Sequence, residues 1–211
     1  MKHEPRWPVL VAVLCCGVLN WWLPDSMSAG PGWLIVLLTF VLGVGSMLTV
    51  GRGPEWFHLT LAYAMQVVVT ASLAYALSSL VKDLIAHRGK PEEILGTAAS
   101  IWGMNVLVFA TWYWRMDGGG PSGRHQHESY REGAFLFPQA TLSAETKRMM
   151  NTGNWHPQFI DYLFLSFNAS TAFSPTDTPV LSRWAKAAMM VESLIALTTV
   201  ALVAARAVNI L

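Results

Sequence analysis

The chain has 211 residues, 53% of them hydrophobic and only 13% charged, and its formal net charge is +1. Charged residues are about half as frequent as the roughly 25% found in soluble domains, which argues against a soluble globular protein. The small net charge excludes a general attraction to nucleic acid or to acidic substrates.

Five hydrophobic segments predict membrane-spanning helices. A helix needs about 20 apolar residues to cross the hydrocarbon core of a bilayer, and five stretches approach or exceed that length. The ten tryptophans also suit side chains that lie at a membrane interface. We therefore predict an all-α membrane protein with one membrane domain, residues 1–211. The predicted helices lie at 7–23, 32–50, 57–81, 97–114 and 184–211.

The first segment follows Lys2 and Arg6, as the apolar part of a signal peptide would. No small-x-small cleavage motif comes after it, so we predict an uncleaved helix. Cys15 and Cys16 are adjacent within it, which favours packing residues over a disulfide framework.

The connections indicate how the helices are arranged. Short turns at 24–31 and 51–54 predict antiparallel neighbours, and a mixed-charge link at 82–93 joins the third and fourth helices. Lysine and arginine favour the cytoplasmic side. Most of the flanking charges place the N-terminus and the long loop inside, although those of the 82–93 link oppose this orientation. The supporting residues are Lys2, Arg6, Arg52, Arg115, Arg183 and Lys186, and the opposing ones are Lys82, Arg88 and Lys90.

A long loop at 115–156 begins with a glycine-rich run, 117–123, that predicts the end of the helix and the membrane exit. Residues 143–151 predict a short helix with Ser143 as its N-cap. His125 and His127 have metal-ligand chemistry, but their spacing suits an extended segment and no further ligand pair accompanies them. We predict a solvated loop there, with no metal and no cofactor.

Residues 157–177 predict a re-entrant segment. Pro157 suits the first turn of a helix, and 159–167 are apolar on nearly every face. Such a helix is too short to cross the hydrocarbon and is typical of a buried or re-entrant helix. A polar run broken by Pro175 follows, and then Thr178 and Pro179 suit the start of the last helix.

This half-helix, polar run and final long helix resemble the pore helix, filter and inner helix of potassium channels. The run lacks the glycines of a potassium filter, which argues against a filter of that type. The chain is also similar to a family of uncharacterised bacterial integral membrane proteins with a domain of unknown function. That resemblance implies a fold but no activity. It is carried by residues 109–113, 135–138, 161–167 and 174–177.

Five polar residues are candidates for an ion path. A carboxylate inside a membrane helix is a functional hypothesis in its own right, and Glu192 is the main one. The others belong to the polar run or its ends: Thr171, Ser174, Thr176 and Asp177. Asp177 and Glu192 are 15 residues apart, close to four helical turns, so we expect their side chains on nearly the same helix face. If that face lines a wet path, the two acidic groups would favour cations.

The leading hypothesis is an ion-pathway protein that assembles as a homo-oligomer, because a re-entrant hairpin needs walls that neighbouring copies supply. One alternative is a non-conducting scaffold, and another is a membrane enzyme or metal site that uses the loop with His125 and His127. The sequence carries no nucleophile elbow, phosphate loop or paired catalytic carboxylates, so we predict that it is not an enzyme. The predicted partner is the lipid bilayer, without nucleic acid, and the predicted location is a bacterial inner membrane.

Overall fold

The structure, a computed structural model, describes residues 4–52, 54–86, 91–124, 133–153, 155–171 and 177–208. Within these residues the fold is helical, with a single isolated β-bridge between Phe135 and Val180. Four described segments are long and apolar enough to cross a bilayer: Gly32–Thr49, Trp56–Ile85, Glu93–Arg124 and Arg183–Ala205. The predicted class, an all-α membrane protein, is confirmed.

Helices occupy all five predicted regions. They are α1 (Trp7–Trp21), α2 (Gly32–Thr49), α3 (Glu55–Ile85), α4 (Pro91–Met116) and, last in the chain, Arg183–Val208. The first has 15 residues, so its length is about 22 Å at 1.5 Å per residue, less than the roughly 30 Å of a bilayer core. The third and fourth extend into the predicted 82–93 link, because Lys82, Asp83 and Glu93 are compatible with exposed helix ends.

The glycine-rich run after α4 differs from its prediction. Gly118, Gly119 and Gly120 all have positive φ, which ends the helix as expected. Pro121 then suits the first turn of a further helix, and the chain forms α5 (Gly120–Arg124). The prediction that this run holds no helix was therefore wrong for its second half.

The long loop contains two further short helices, α6 (Pro138–Thr141) and α7 (Ala144–Met149). The second confirms the predicted helix and its cap, since the Ser143 hydroxyl accepts a hydrogen bond of 3.1 Å from the Thr146 backbone N–H.

The predicted half-helix is α8 (Phe159–Thr171), and the final helix is α9 (Arg183–Val208). The first turn of α8 contacts the end of α4, because the Tyr162 hydroxyl donates to Asp117. Its last turn contacts the middle of α4, where the Trp102 indole donates to the Ser170 carbonyl at 3.3 Å. The 13 residues of α8 thus follow α4 inward for about 20 Å at 1.5 Å per residue.

The chain returns to the same end of α4 before α9 begins. The backbone N–H of Leu181 donates to the Ala134 carbonyl at 2.7 Å, and the Ala134 N–H donates to the Asp117 carboxylate. The chain therefore enters α8 and approaches α9 from one end of the bundle, which is the path that the re-entrant prediction requires. Thr178 and Pro179 lie in this irregular segment, so their predicted place at the start of the last helix was wrong.

Helix α4 is the centre of the bundle and packs against α1, α3, α8 and α9. Its middle is almost wholly buried, from Ile101 to Trp114. Small residues allow close packing elsewhere: a Cβ at Gly17 of α1 would lie 3.1 Å from the Cα of Val36 in α2. Gly43 of α2 also allows close packing, because a Cβ there would meet the Leu10 side chain of α1.

Candidate functional site

The candidate site is a polar cluster around Glu192, where α4, α8 and α9 meet. The Glu192 side chain is fully buried. Its Oε2 accepts a hydrogen bond of 2.5 Å from the Tyr113 hydroxyl, and its Oε1 is bonded to the hydroxyls of Ser166 and Ser170, the latter at 3.0 Å. Among the described residues these partners are all hydroxyls rather than cations.

Asn105 of α4 binds the backbone of α9 beside this cluster. Its Nδ2 donates to the Glu192 carbonyl at 3.1 Å and to the Ser170 hydroxyl at 3.3 Å. Ser193 donates to the Ala169 carbonyl at 3.2 Å, which adds a second link between α8 and α9. Asn105 of α4 therefore hydrogen-bonds to both α8 and α9. Gln66 behaves likewise, donating from α3 to the Val108 carbonyl at 3.0 Å.

The hydroxyl of Ser166 allows two arrangements of the hydrogen bonds around Glu192. Ser166 Oγ lies within hydrogen-bond distance of two acceptors, Glu192 Oε1 and the Val106 carbonyl, the latter at 2.8 Å. A hydroxyl has a single proton to donate and can also accept. With an ionised Glu192, Ser166 donates to the carboxylate. With a neutral Glu192, the carboxylic acid O–H donates a hydrogen bond to Ser166 Oγ, and the Ser166 hydroxyl donates to the Val106 carbonyl. Both charge states therefore find partners.

A partly open cavity of about 490 Å³ adjoins the cluster at the C-terminal end of α8. Ser170, which is bonded to Glu192, lines it, and so do Thr171, Ser193 and Trp102. The carbonyl groups at a helix C-terminus carry partial negative charge. Hydroxyl groups and the C-terminus of α8 thus line this cavity. The buried Glu192 carboxyl group lies behind its wall and is bonded to Ser170.

The predicted site residues fall into three groups. Glu192 is bonded to Ser170, and Thr171 lines the same cavity as Ser170 but donates its own hydroxyl to the Phe167 carbonyl at 2.7 Å. Ser174 and Thr176 lie outside the described residues. Asp177 is exposed and precedes α9 by several non-helical residues, so the inference that it shares a helix face with Glu192 was wrong.

A second buried polar cluster lies at the end of α4, and the sequence reading missed it. Asp117 accepts from the Tyr162 hydroxyl at 2.5 Å and from the Ala134 backbone N–H. Arg124 donates to Glu4 at 2.9 Å and to the Trp114 carbonyl at 2.7 Å, and its guanidinium lies 5.2 Å from the centre of the Tyr162 ring. This cluster fixes the entry of α8 and is structural.

The Asp161 carboxylate accepts a hydrogen bond of 2.7 Å from the Gln158 backbone N–H, and so caps the start of α8.

The predicted histidine loop lies outside the described residues, with both His125 and His127. Among the residues that are described, no group of three or more His, Cys, Asp or Glu side chains is arranged to hold a metal ion.

The hydroxyl partners of Glu192 carried a signal that spacing could have revealed. Ser166 and Ser170 are four residues apart and therefore lie on one face of α8. A polar face on an apolar half-helix predicts a polar neighbour. Glu192 is the charged residue in the apolar middle of α9.

The fold and this cluster define an all-α membrane protein with a buried acidic site. Comparison of the chain with protein-family models, with curated proteins and with solved structures finds no match in any of the three.

Proposed function

We propose that the protein is an ion-pathway protein of the membrane in which Glu192 binds and releases a proton or another cation. The observation that carries this proposal is the buried Glu192 carboxyl, which is held by three hydroxyls beside an open cavity. Ionisable groups inside membrane helices mark ion and proton paths in many transporters and pumps. A half-helix whose C-terminal end faces the site is a further feature of cation sites in such proteins.

The charge balance of the cluster supports a cation. An ionised Glu192 without a cationic partner is costly in a low-dielectric interior. A bound proton removes that charge and a bound metal cation compensates it. The serine and tyrosine hydroxyls can serve either state, because a hydroxyl both donates and accepts.

The test is a cation and proton flux assay in reconstituted liposomes. We expect flux in the parent protein that Glu192→Gln abolishes, since the amide takes up no proton near neutral pH and has no negative charge to compensate a metal cation. Glu145→Gln, on exposed α7, is the matched control and should leave flux unchanged. Parent liposomes no more permeable than empty ones, with all variants folded, would contradict the proposal.

One observation favours a non-conducting scaffold as the second candidate. Both oxygens of the Glu192 carboxyl are bonded within the described residues, so the cluster also serves to join three helices. In that case Glu192→Gln lowers stability and no flux is found in any variant. The third alternative, a metal site at His125 and His127, has only the sequence in its favour.

Assembly as a homo-oligomer would supply the walls that a half-helix needs. Ile160, Phe164 and Phe167 are 63%, 62% and 46% exposed on one side of α8, at spacings that share a helix face. A second copy on this face would enclose α8, and we propose a bacterial inner membrane as the location of the assembly. Light scattering in detergent should give a mass above one 23.2 kDa chain plus its micelle, and a monomer would remove this part of the proposal.

A further inference from the structure

A second cavity, distant from Glu192, lies where the N-terminus of α1, the end of α2, the start of α3 and the end of α4 meet. Its volume is about 160 Å³. An internal cavity of ~150 Å³ can admit a molecule as large as benzene, so this one has room for a phosphate group.

Two guanidinium groups line the cavity, those of Arg6 and Arg115. Arg6 precedes α1 and donates a hydrogen bond of 3.0 Å to the Ser122 hydroxyl. Arg115, in the last turn of α4, has its guanidinium 5.6 Å from the centre of the Tyr63 ring, and its buried Nε has no hydrogen-bond partner among the described residues. The Arg115 side chain is therefore suited to donate to an anion in the cavity that it lines together with Arg6.

The remaining described walls complete an anion site without an acid. Ser46 and Tyr63 add hydroxyl groups, Val9 and Leu10 add apolar surface, and no described residue of the lining is a carboxylate. Arginine binds phosphate oxygens through two parallel N–H donors. The exposed Trp7 and Trp56 lie at the same end of the bundle, as tryptophans do at a membrane interface.

We propose that this cavity binds a phosphate group, carried by an anionic phospholipid headgroup or free as inorganic phosphate. Basic pockets between membrane helices at the cytoplasmic face are suited to lipid headgroups. The apolar part of the wall accommodates the glycerol region of a lipid. Bound phosphate accepts hydrogen bonds from Arg115 and joins the ends of the four helices.

The experiment measures ligand binding by the purified full chain in a neutral detergent, by native mass spectrometry and by the thermal unfolding midpoint. The probes are phosphatidylglycerol, phosphatidylcholine and inorganic phosphate. We expect phosphatidylglycerol to bind and to raise the midpoint, and Arg115→Gln to weaken that binding about tenfold or more, because the lost hydrogen bonds are charge-assisted. Arg52→Gln, at the exposed turn between α2 and α3, is the control and should bind as the parent does.

The outcomes separate the two sources of phosphate. Stabilisation by phosphatidylglycerol alone identifies a lipid headgroup, and equal stabilisation by inorganic phosphate identifies the free anion. If Arg115→Gln does not fold, the binding of phosphatidylglycerol is measured with Arg6→Gln, and the same weakening is expected. Absence of binding by any probe, or equal binding by Arg115→Gln, Arg6→Gln and Arg52→Gln, overturns the proposed site.

Discussion

At the scale of single residues, the hydroxyl groups around Glu192 explain how a carboxyl group is accommodated in the middle of a membrane helix. Each unsatisfied polar group there costs several kcal/mol, and Glu192 has a partner at both oxygens. The sequence identified the acid because charge is rare in an apolar helix. It did not identify Tyr113, because a tyrosine at the end of an apolar segment is equally typical of a membrane interface.

We expect Tyr113→Phe to destabilise the protein by about 1–2 kcal/mol, since it removes a donor to Glu192 and keeps the aromatic packing. Tyr75→Phe is the matched control, because Tyr75 is 45% exposed. Unfolding in mixed micelles, followed by circular dichroism, measures both free energies. Equal stability of the two variants would contradict a supporting role for the Tyr113 hydroxyl.

At the scale of helices, the sequence predicted where helices occur better than where they begin and end. Apolar length is a direct physical requirement of the bilayer, and it located α2, α3, α4 and α9. Helix ends depend on local tertiary contacts. Thr178 and Pro179 have the chemistry of a helix start, but Pro179 and Leu181 are engaged in backbone hydrogen bonds with the long loop, which keeps them extended.

Two glycines inside helices provide a matched test of packing. A Cβ at Gly17 would press on the backbone of Val36, whereas a Cβ at Gly96 would meet nothing within 4 Å. We expect Gly17→Ala to destabilise the protein by about 1–3 kcal/mol, because α1 and α2 must separate. Gly96→Ala should be neutral or stabilising by up to about 1 kcal/mol. Thermal unfolding in detergent compares them, and the reverse order would contradict the close approach of α1 and α2.

The path of α8 predicts that the chain on both sides of it faces the same compartment. Single cysteines at Gly153 and Pro179, introduced after replacement of Cys15 and Cys16 by alanine, should react alike with an impermeant maleimide in sealed vesicles. Ser26→Cys, in the turn between α1 and α2, should react from the opposite side. Reaction of Gly153→Cys and Pro179→Cys from different sides would mean that α8 and its flanks cross the membrane.

At the scale of the whole molecule, the two polar clusters and the arginine cavity lie at two different depths along the bundle. The arginine cavity and the Asp117 cluster lie at the end of α4 where its last turn reaches the loop, and the Glu192 cluster lies deeper, beside the middle of α4. Composition predicted the membrane class. Composition could not predict that α4, α8 and α9 converge on one carboxyl group, because the contact between Tyr113 and Glu192 joins residues that are 79 positions apart.

The antiparallel order of the helices, with the flanking charges, predicts one orientation for the whole molecule. The turn at Arg52 and the long loop share one end of the bundle, and the turn at Ser26 and the end of α3 share the other. Because Lys and Arg are retained in the cytoplasm during insertion, the end that holds Arg6, Arg52 and Arg115 should face inward.

Labelling of intact cells tests this orientation in the background without Cys15 and Cys16. We expect Ser26→Cys and Ala86→Cys to react with an impermeant maleimide, and Gly153→Cys to react only after the cells are permeabilised. All three positions are exposed within the described structure. A lack of reaction therefore shows that the membrane, and not burial in the protein, shields the cysteine. If Gly153→Cys is labelled from outside while Ser26→Cys is protected, the bundle is inverted, and the basic groups near Lys82 then decide the orientation instead of those near Arg6.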